Sequence, residues 1–230
     1  MSNQSKILNL VLLIPMFILL LSPKQALAEN FSDIKEGHKY FMAINYLKEN
    51  GIIQGYDDNT FRSDEKITRA EAVKMLTLAS GIFIEEQFSE VAEDTATEGP
   101  FTDTPGYAWY TKYLAAAKER GIISGHSDGS FQPNKTINLA EALKIYLESI
   151  GNIDYSKTAE NLVNDTPEEA WFAKYTAFAN SLGLINIYPD NTVKPDQEMS
   201  RGYMAEIIYR SKLSGMGYKF GKATWYYGIA

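Results

Sequence analysis

The 230-residue chain carries a formal charge of −7, contains no cysteine, and is 45% hydrophobic and 13% aromatic. The acidity argues against a protein that holds nucleic acid by neutralising phosphates. The absence of cysteine removes both a disulfide framework and a thiolate metal site, while the apolar fraction suffices for a packed core, in one domain or in a few small units that share one.

At the start, Lys6 precedes an apolar run from Ile7 to Leu21 and a small-x-small signal at Ala26-Leu27-Ala28. This is the pattern of a secretory signal peptide over residues 1–28. The run is short for a membrane span and is interrupted by Asn9 and Pro15, so cleavage after Ala28 and no membrane attachment thereafter are expected. Loss of Lys6 and Lys24 takes the charge from −7 to −9.

The remainder repeats itself three times, over 29–81, 101–151 and 165–213, with an acidic linker at 82–100 and a second linker at 152–164. The first copy reads Phe31-Ser-Asp33, Gly51-Ile-Ile-Gln-Gly55, Asp58-Asn59-Thr60-Phe61 and Ile67-Thr-Arg-Ala-Glu71. The second reads Phe101-Thr-Asp103, Gly121-Ile-Ile-Ser-Gly125, Asp128-Gly-Ser-Phe131 and Ile137-Asn-Leu-Ala-Glu141. The third is more worn, with Asp165, Trp171, Gly183, Asp190-Asn191 and Met199-Ser-Arg-Gly-Tyr203. From the leading Asp to the following Gly each copy spans 18 residues (33 to 51, 103 to 121, 165 to 183).

Within a copy, Thr104-Pro105 and Thr166-Pro167 predict an N-cap and a first-turn proline for helix one, and Gly51, Gly121 and Gly183 predict its left-handed stop. Turns at Asp58-Asn59, Asp128-Gly129 and Asp190-Asn191 then carry Phe61, Phe131 or Val193 inward. The second helix starts at Thr68, Asn138 or Ser200, and Thr68 with Glu71 forms a capping box. Each unit is thus a helix, a loop and a helix. One such pair cannot bury its apolar face alone, so the fold class is all-α, with three units closing around a shared core. Arg69, a cation in the first turn, opposes the helix dipole and needs a partner, either an acidic side chain of the same chain or an anionic ligand.

The Asp…Trp…Gly-Ile-Ile-x-Gly…Asp-Gly-x-Phe…Ile-Thr-Arg-Ala-Glu pattern resembles the S-layer homology domain, from Phe31 to about Leu213. The resemblance implies a pseudo-threefold helical bundle whose inter-repeat grooves bind a secondary cell-wall polysaccharide, often through a pyruvylated sugar, or in some members peptidoglycan. It implies non-covalent anchoring to the wall; with the signal peptide and the small share of sequence outside the repeats, a secreted, non-enzymatic protein without cofactor or metal is expected. The alternative is a structural or adaptor role through protein contacts in a surface layer.

Where the columns match, the resemblance offers Arg69 and Arg201, Trp109 and Trp171, Asp33, Asp103 and Asp165, and Gly55 and Gly125 as glycan-binding residues. Leu139 and Lys39 interrupt the Arg and Trp columns, and Ile187 stands in the Gly column. A guanidinium suits a carboxylate and an indole suits the C–H face of a pyranose. Core packing remains open for the Trp column, and a tie to the loop for the Asp column. If a groove draws its Arg and Trp from successive repeats, Arg69 with Trp109 is complete; if from one repeat, Arg201 with Trp171. If Arg pairs with the Trp of the preceding repeat, two grooves are complete, Arg69 with Trp171 and Arg201 with Trp109.

Other signals are weaker. Asp57-Asp58-Asn59 lacks the spacing of a calcium loop and reads as a solvated turn. His38 and His126 fall in different copies and form neither a metal pair nor a catalytic dyad. Both linkers read as solvated connections. The tail at 214–230, with Tyr218, Phe220, Trp225, Tyr226 and Tyr227, is expected to pack back on the repeats as a short extended pair or to serve as an interaction segment.

Overall fold

Each copy contributes two α-helices: α1 (Phe41–Glu49) and α2 (Arg69–Ala79), α3 (Thr111–Glu119) and α4 (Leu139–Ile150), α5 (Ala173–Ser181) and α6 (Arg201–Gly215). The structure, a computed structural model, describes residues 30–82, 98–157 and 163–215. The expected signal peptide, most of the acidic linker and the tail beyond Gly215 lie outside the described residues. Among the described residues there is no strand, only isolated bridges, so the class is all-α.

The helix stops follow from local chemistry. Gly51, Gly121 and Gly183 have φ of 69°, 69° and 68°. At the first stop, Gly51 N–H donates to Lys48 O and Ile52 N–H to Leu47 O; Gly121 with Ile122 and Gly183 with Leu184 repeat the pattern. These paired bonds satisfy carbonyls that a helix end otherwise leaves free. The second helices start as their caps require, because Thr68 with Glu71 and Asn138 with Glu141 each form a reciprocal capping box.

The first helices depart from expectation. Thr104-Pro105 does not open α3, which begins at Thr111. Thr104 Oγ1 instead accepts from Phe101 N–H, and the Pro105 carbonyl accepts from Ala108 N–H and from the Thr111 hydroxyl. The proline heads a turn that delivers Trp109 and Tyr110 to the helix start. In the third copy, α5 likewise begins at Ala173, after Thr166-Pro167.

The helix partners are also exchanged between copies. Packing pairs α1 with α6, α3 with α2, and α5 with α4, so the first helix of each repeat lies on the second helix of the repeat before it; α2 also meets α4 and α6. Backbone bonds close the arrangement into a cycle. Ile67 N–H donates to Met199 O, Met199 N–H to Ile137 O, and Ile137 N–H to Ile67 O, at 3.0, 2.9 and 3.3 Å. Around this ring, Arg69 N–H reaches Lys135 O, Leu139 N–H reaches Gln197 O, and Arg201 N–H reaches Glu65 O. Each second helix thereby satisfies a free first-turn donor on the loop of the next repeat. Phe61, Phe131 and Val193 are buried beside this ring as predicted.

The linker at 152–164 is not wholly solvated. Tyr155, in a short 3₁₀ turn (Tyr155–Lys157), meets Tyr175 and Phe178 edge-on, and Ile153 packs on the core. An aromatic ring in a connecting segment gains more by burial than by solvation.

Candidate functional site

Two junctions between repeats form equivalent clefts, each drawing on all three copies. In one, Arg69 of the first repeat meets Gly125, His126, Glu141 and Lys144 of the second and Trp171 of the third, around a space of about 220 Å³. In the other, Arg201 of the third repeat lies against Tyr56, Phe61 and Glu71 of the first. Lys74 there sits 5.5 Å above the ring of Trp109 from the second. Of the three pairing rules, the geometry follows the last: Arg69 shares a cleft with Trp171, and Arg201 shares one with Trp109.

Both arginines are buried, at 8% and 7% exposure, and are fixed in the same way. Arg69 Nε donates to Phe131 O at 2.9 Å and Arg201 Nε to Phe61 O at 3.0 Å, while each guanidinium covers the phenylalanine ring beneath it. The acidic partner that the helix dipole argument demands is present: Glu141 for Arg69 at 3.6 Å, and Glu71 for Arg201 at 2.8 Å. Burial pulls the Arg69 guanidinium below the usual arginine range, with Glu141 and Asp103 opposing. Burial likewise lowers Lys74, helped by Lys112 and Arg201 and opposed by Glu71.

The tryptophans are not core residues. Trp109 is 53% and Trp171 56% exposed. Tyr110 and Phe172 support them edge-on, leaving indole surface at the mouth of each cleft. A half-exposed indole beside a buried guanidinium is an arrangement able to stack a sugar ring and pair its acidic substituent.

The aspartates hold the loops instead. Asp33 accepts from Phe61 and Arg62 N–H at 2.8 and 2.7 Å, and Asp103 from Phe131 and Gln132 N–H at the same distances. Asp165 does the same for Val193 and Lys194. Arg62, Gln132 and Lys194 all have positive φ, at 57°, 58° and 55°. Each carboxylate therefore steadies a backbone conformation that an L-residue resists. The tie also places the Phe61 and Phe131 carbonyls that hold the arginines.

Gly55 and Gly125 are needed for close approach within their own repeats. Their φ values are +74° and +73°, and an added Cβ would fall 2.3 and 2.7 Å from the rings of Phe31 and Phe101. In the third copy Val163 replaces that phenylalanine while Ile187 replaces the glycine. The loop still closes, with Tyr188 N–H donating to Thr192 O at 2.9 Å as Tyr56 N–H does to Thr60 O.

The third junction has lost the cleft's chemistry. Leu139 is buried in place of an arginine, and Lys39 turns to Asp64. Tyr203 and Glu206 stand where the other junctions have Glu and Lys. Glu206 is paired with Arg210 at 2.8 Å, and Arg210 and the Tyr203 hydroxyl engage Asn186.

Sequence reasoning missed Lys74 and Lys144. Each lies five residues after the Arg column position, where the worn copy has Glu206, and that column was available to be read. A lysine inside an amphipathic helix passes for a solvated face until the packing of the neighbouring repeat is known.

A family model described as the S-layer homology domain matches residues 30–73, 100–143 and 164–205. The chain is 31% identical over 163 residues to a cellulosome-anchoring protein of Acetivibrio thermocellus, covering 70% of this chain and 35% of the relative. It is 31% identical over 128 residues to the S-layer protein sap of Bacillus anthracis, covering 56% and 14%. It is also 26% identical over 203 residues to an uncharacterized cell wall amidase of Bacillus anthracis, covering 85% and 34%. The chain thus spans about a third or less of the length of these relatives.

Proposed function

The chain belongs to the S-layer homology family, and on that premise we propose that it is a non-catalytic anchoring module at the cell surface, binding an acidic wall polysaccharide in two clefts. The carrying observation is the repeated union, at two junctions, of a buried guanidinium, a lysine and a half-exposed indole drawn from three different repeats. The names of relatives, cellulosome-anchoring and S-layer protein, support the location and the anchoring role. Relatives named as an amidase and an amylopullulanase are covered over only 34% and 9% of their lengths, in keeping with a module common to proteins of different activity.

In this reading the ligand carries a carboxylate, as a pyruvyl ketal does. Glu71 and Glu141 hold the guanidinium in place, and the free edge of that group with Lys74 or Lys144 receives the carboxylate. Trp109 or Trp171 takes the sugar face. Asp33, Asp103, Asp165, Gly55 and Gly125 serve by shaping the loops behind the clefts.

Calorimetry with a pyruvylated hexosamine glycoside tests this. Two ligands per chain are expected, and the neutral methyl ester should bind more weakly by about 1.5–3 kcal/mol, the range for a charge-assisted hydrogen bond. Trp109→Ala and Trp171→Ala should each remove one site. Equal affinity for the ester overturns the reading, as does equal binding at three sites or binding of a neutral peptidoglycan fragment alone.

A further inference from the structure

The two clefts differ in charge at one position. Lys112 and Lys174 each stand three residues after the cleft tryptophan. Beside the Trp171 cleft, Lys174 Nζ lies 3.9 Å from Glu148, which also accepts from the Tyr175 hydroxyl. The matching position on α2 is Leu78. Among the described residues, neither Lys112 nor Lys74 makes an ion pair. Their ammonium groups share one ring, lying 5.4 and 5.8 Å from the centre of Tyr113.

We propose that the Trp109 cleft takes a stretch of glycan with two negative charges, Lys112 holding the second, whereas the Trp171 cleft takes one; this rests on reading both clefts as acidic-glycan sites. Among the described residues, Arg201, Lys74 and Lys112 gather around the single Glu71 carboxylate, leaving two positive charges in excess within that group. Arg69 and Lys144 face Glu141, with Asp103 also acting on Arg69, and Lys174 is paired with Glu148, so the positive excess beside Trp171 is smaller. Arg201 has Nε committed to Phe61 O and Nη1 to Glu71, so the cations freest to meet a ligand in this cleft are the two lysines. Lys74 is half-buried and bears the repulsion of Lys112 and Arg201, whereas Lys144 is exposed. An anion set between Lys74 and Lys112 relieves that repulsion, and the gain is larger where water is partly excluded. The equivalent place beside Trp171 already holds the Glu148 carboxylate, which would repel a second ligand charge.

The test is calorimetry on the full chain with two probes, a pyruvylated hexosamine glycoside and the same glycoside bearing one methyl phosphodiester. For wild type, the doubly charged probe should bind one site about five-fold more tightly than the other, the scale of a partly exposed ion pair. Lys112→Met should abolish that preference and weaken the doubly charged probe more than the singly charged one. Glu148→Gln, which retains an acceptor for Tyr175, should raise the affinity of the Trp171 site for the doubly charged probe. Equal gain at both wild-type sites, or a preference that survives Lys112→Met, overturns the proposal while leaving the acidic-glycan reading intact. Failure of both probes to bind removes both readings.

Discussion

Arg201 lies 2.8 Å from Glu71, and Glu71 also closes the capping box on Thr68, so one carboxylate ties the start of α2 to the start of α6. Each partner is largely buried, so removing the carboxylate strands a guanidinium away from water. Glu71→Ala is expected to cost about 3 kcal/mol, toward the lower end for breaking a buried pair. Glu141→Ala, whose contact with Arg69 is 3.6 Å, should cost less. Urea unfolding of the two variants measures the difference, and equal losses would sink the argument.

Asp103 gives both oxygens to backbone amides, including that of Gln132 at positive φ. Asp103→Ala should lower stability by about 2 kcal/mol, the scale for hydrogen bonds to a charged group. Because the Phe131 carbonyl holds Arg69, binding should weaken in the Trp171 cleft and not in the Trp109 cleft. An affinity loss with unchanged urea midpoint would instead assign this aspartate to direct sugar contact.

The Gly125 site predicts a coupled pair. Gly125→Ala places a methyl group against the Phe101 ring at a φ of +73° and should cost upward of about 1 kcal/mol. Adding Phe101→Val, which copies Val163 of the third repeat, should recover part of that loss. The Ser130 carbonyl lies equally near, at 2.7 Å, and stays in place in the double variant, so recovery is partial; a double-mutant cycle on thermal stability reads the coupling, and strict additivity would leave that carbonyl and the positive φ as the obstacle.

How much of this was legible without coordinates depended on range. Gly51, Gly121 and Gly183 stop helices through bonds within six residues, and Thr68 with Glu71 caps one within three. Both patterns could be read directly. Thr104-Pro105 misled because its chemistry fits a turn as well as a helix start, and the Thr111 hydroxyl on the Pro105 carbonyl decides between them. The exchange of helix partners between repeats, and with it the meeting of Arg69 and Trp171 over a separation of about a hundred residues, left no local trace. The two clefts appeared in sequence only as one of three pairing rules, and the packing of α5 on α4 selects among them.

Asp58 supplies a pH prediction. The Thr60 hydroxyl first, then Arg62, holds its carboxyl down to about 2 against an ordinary value of 3.8. A group depressed by folding adds stability above its unfolded value and loses it as pH falls through the folded one. Stability should therefore fall between about pH 4 and 2, and Asp58→Asn should flatten part of that slope in acid titrations of the unfolding midpoint.

Removal of residues 165–213 should be disproportionately damaging. It leaves α1 without α6, and it leaves Ile67 N–H and the Glu65 carbonyl without Met199 and Arg201. The shortened chain is expected to lose its cooperative melt or to associate, as light scattering and calorimetry would show. A monomer with an unchanged melting temperature would mean that the ring is dispensable.

The cycle through Ile67, Ile137 and Met199 also carries a consequence in time. The partner of α1 (Phe41–Glu49) is α6 (Arg201–Gly215), so α1 must wait for the two helices of the second repeat and both of the third before its apolar side is covered. Contacts of such long separation slow folding. Until Met199 arrives, the three repeats resemble an unclasped bracelet, adhesive at the first and third units, and what keeps neighbouring copies from clasping one another is the rate at which the third repeat finds the first.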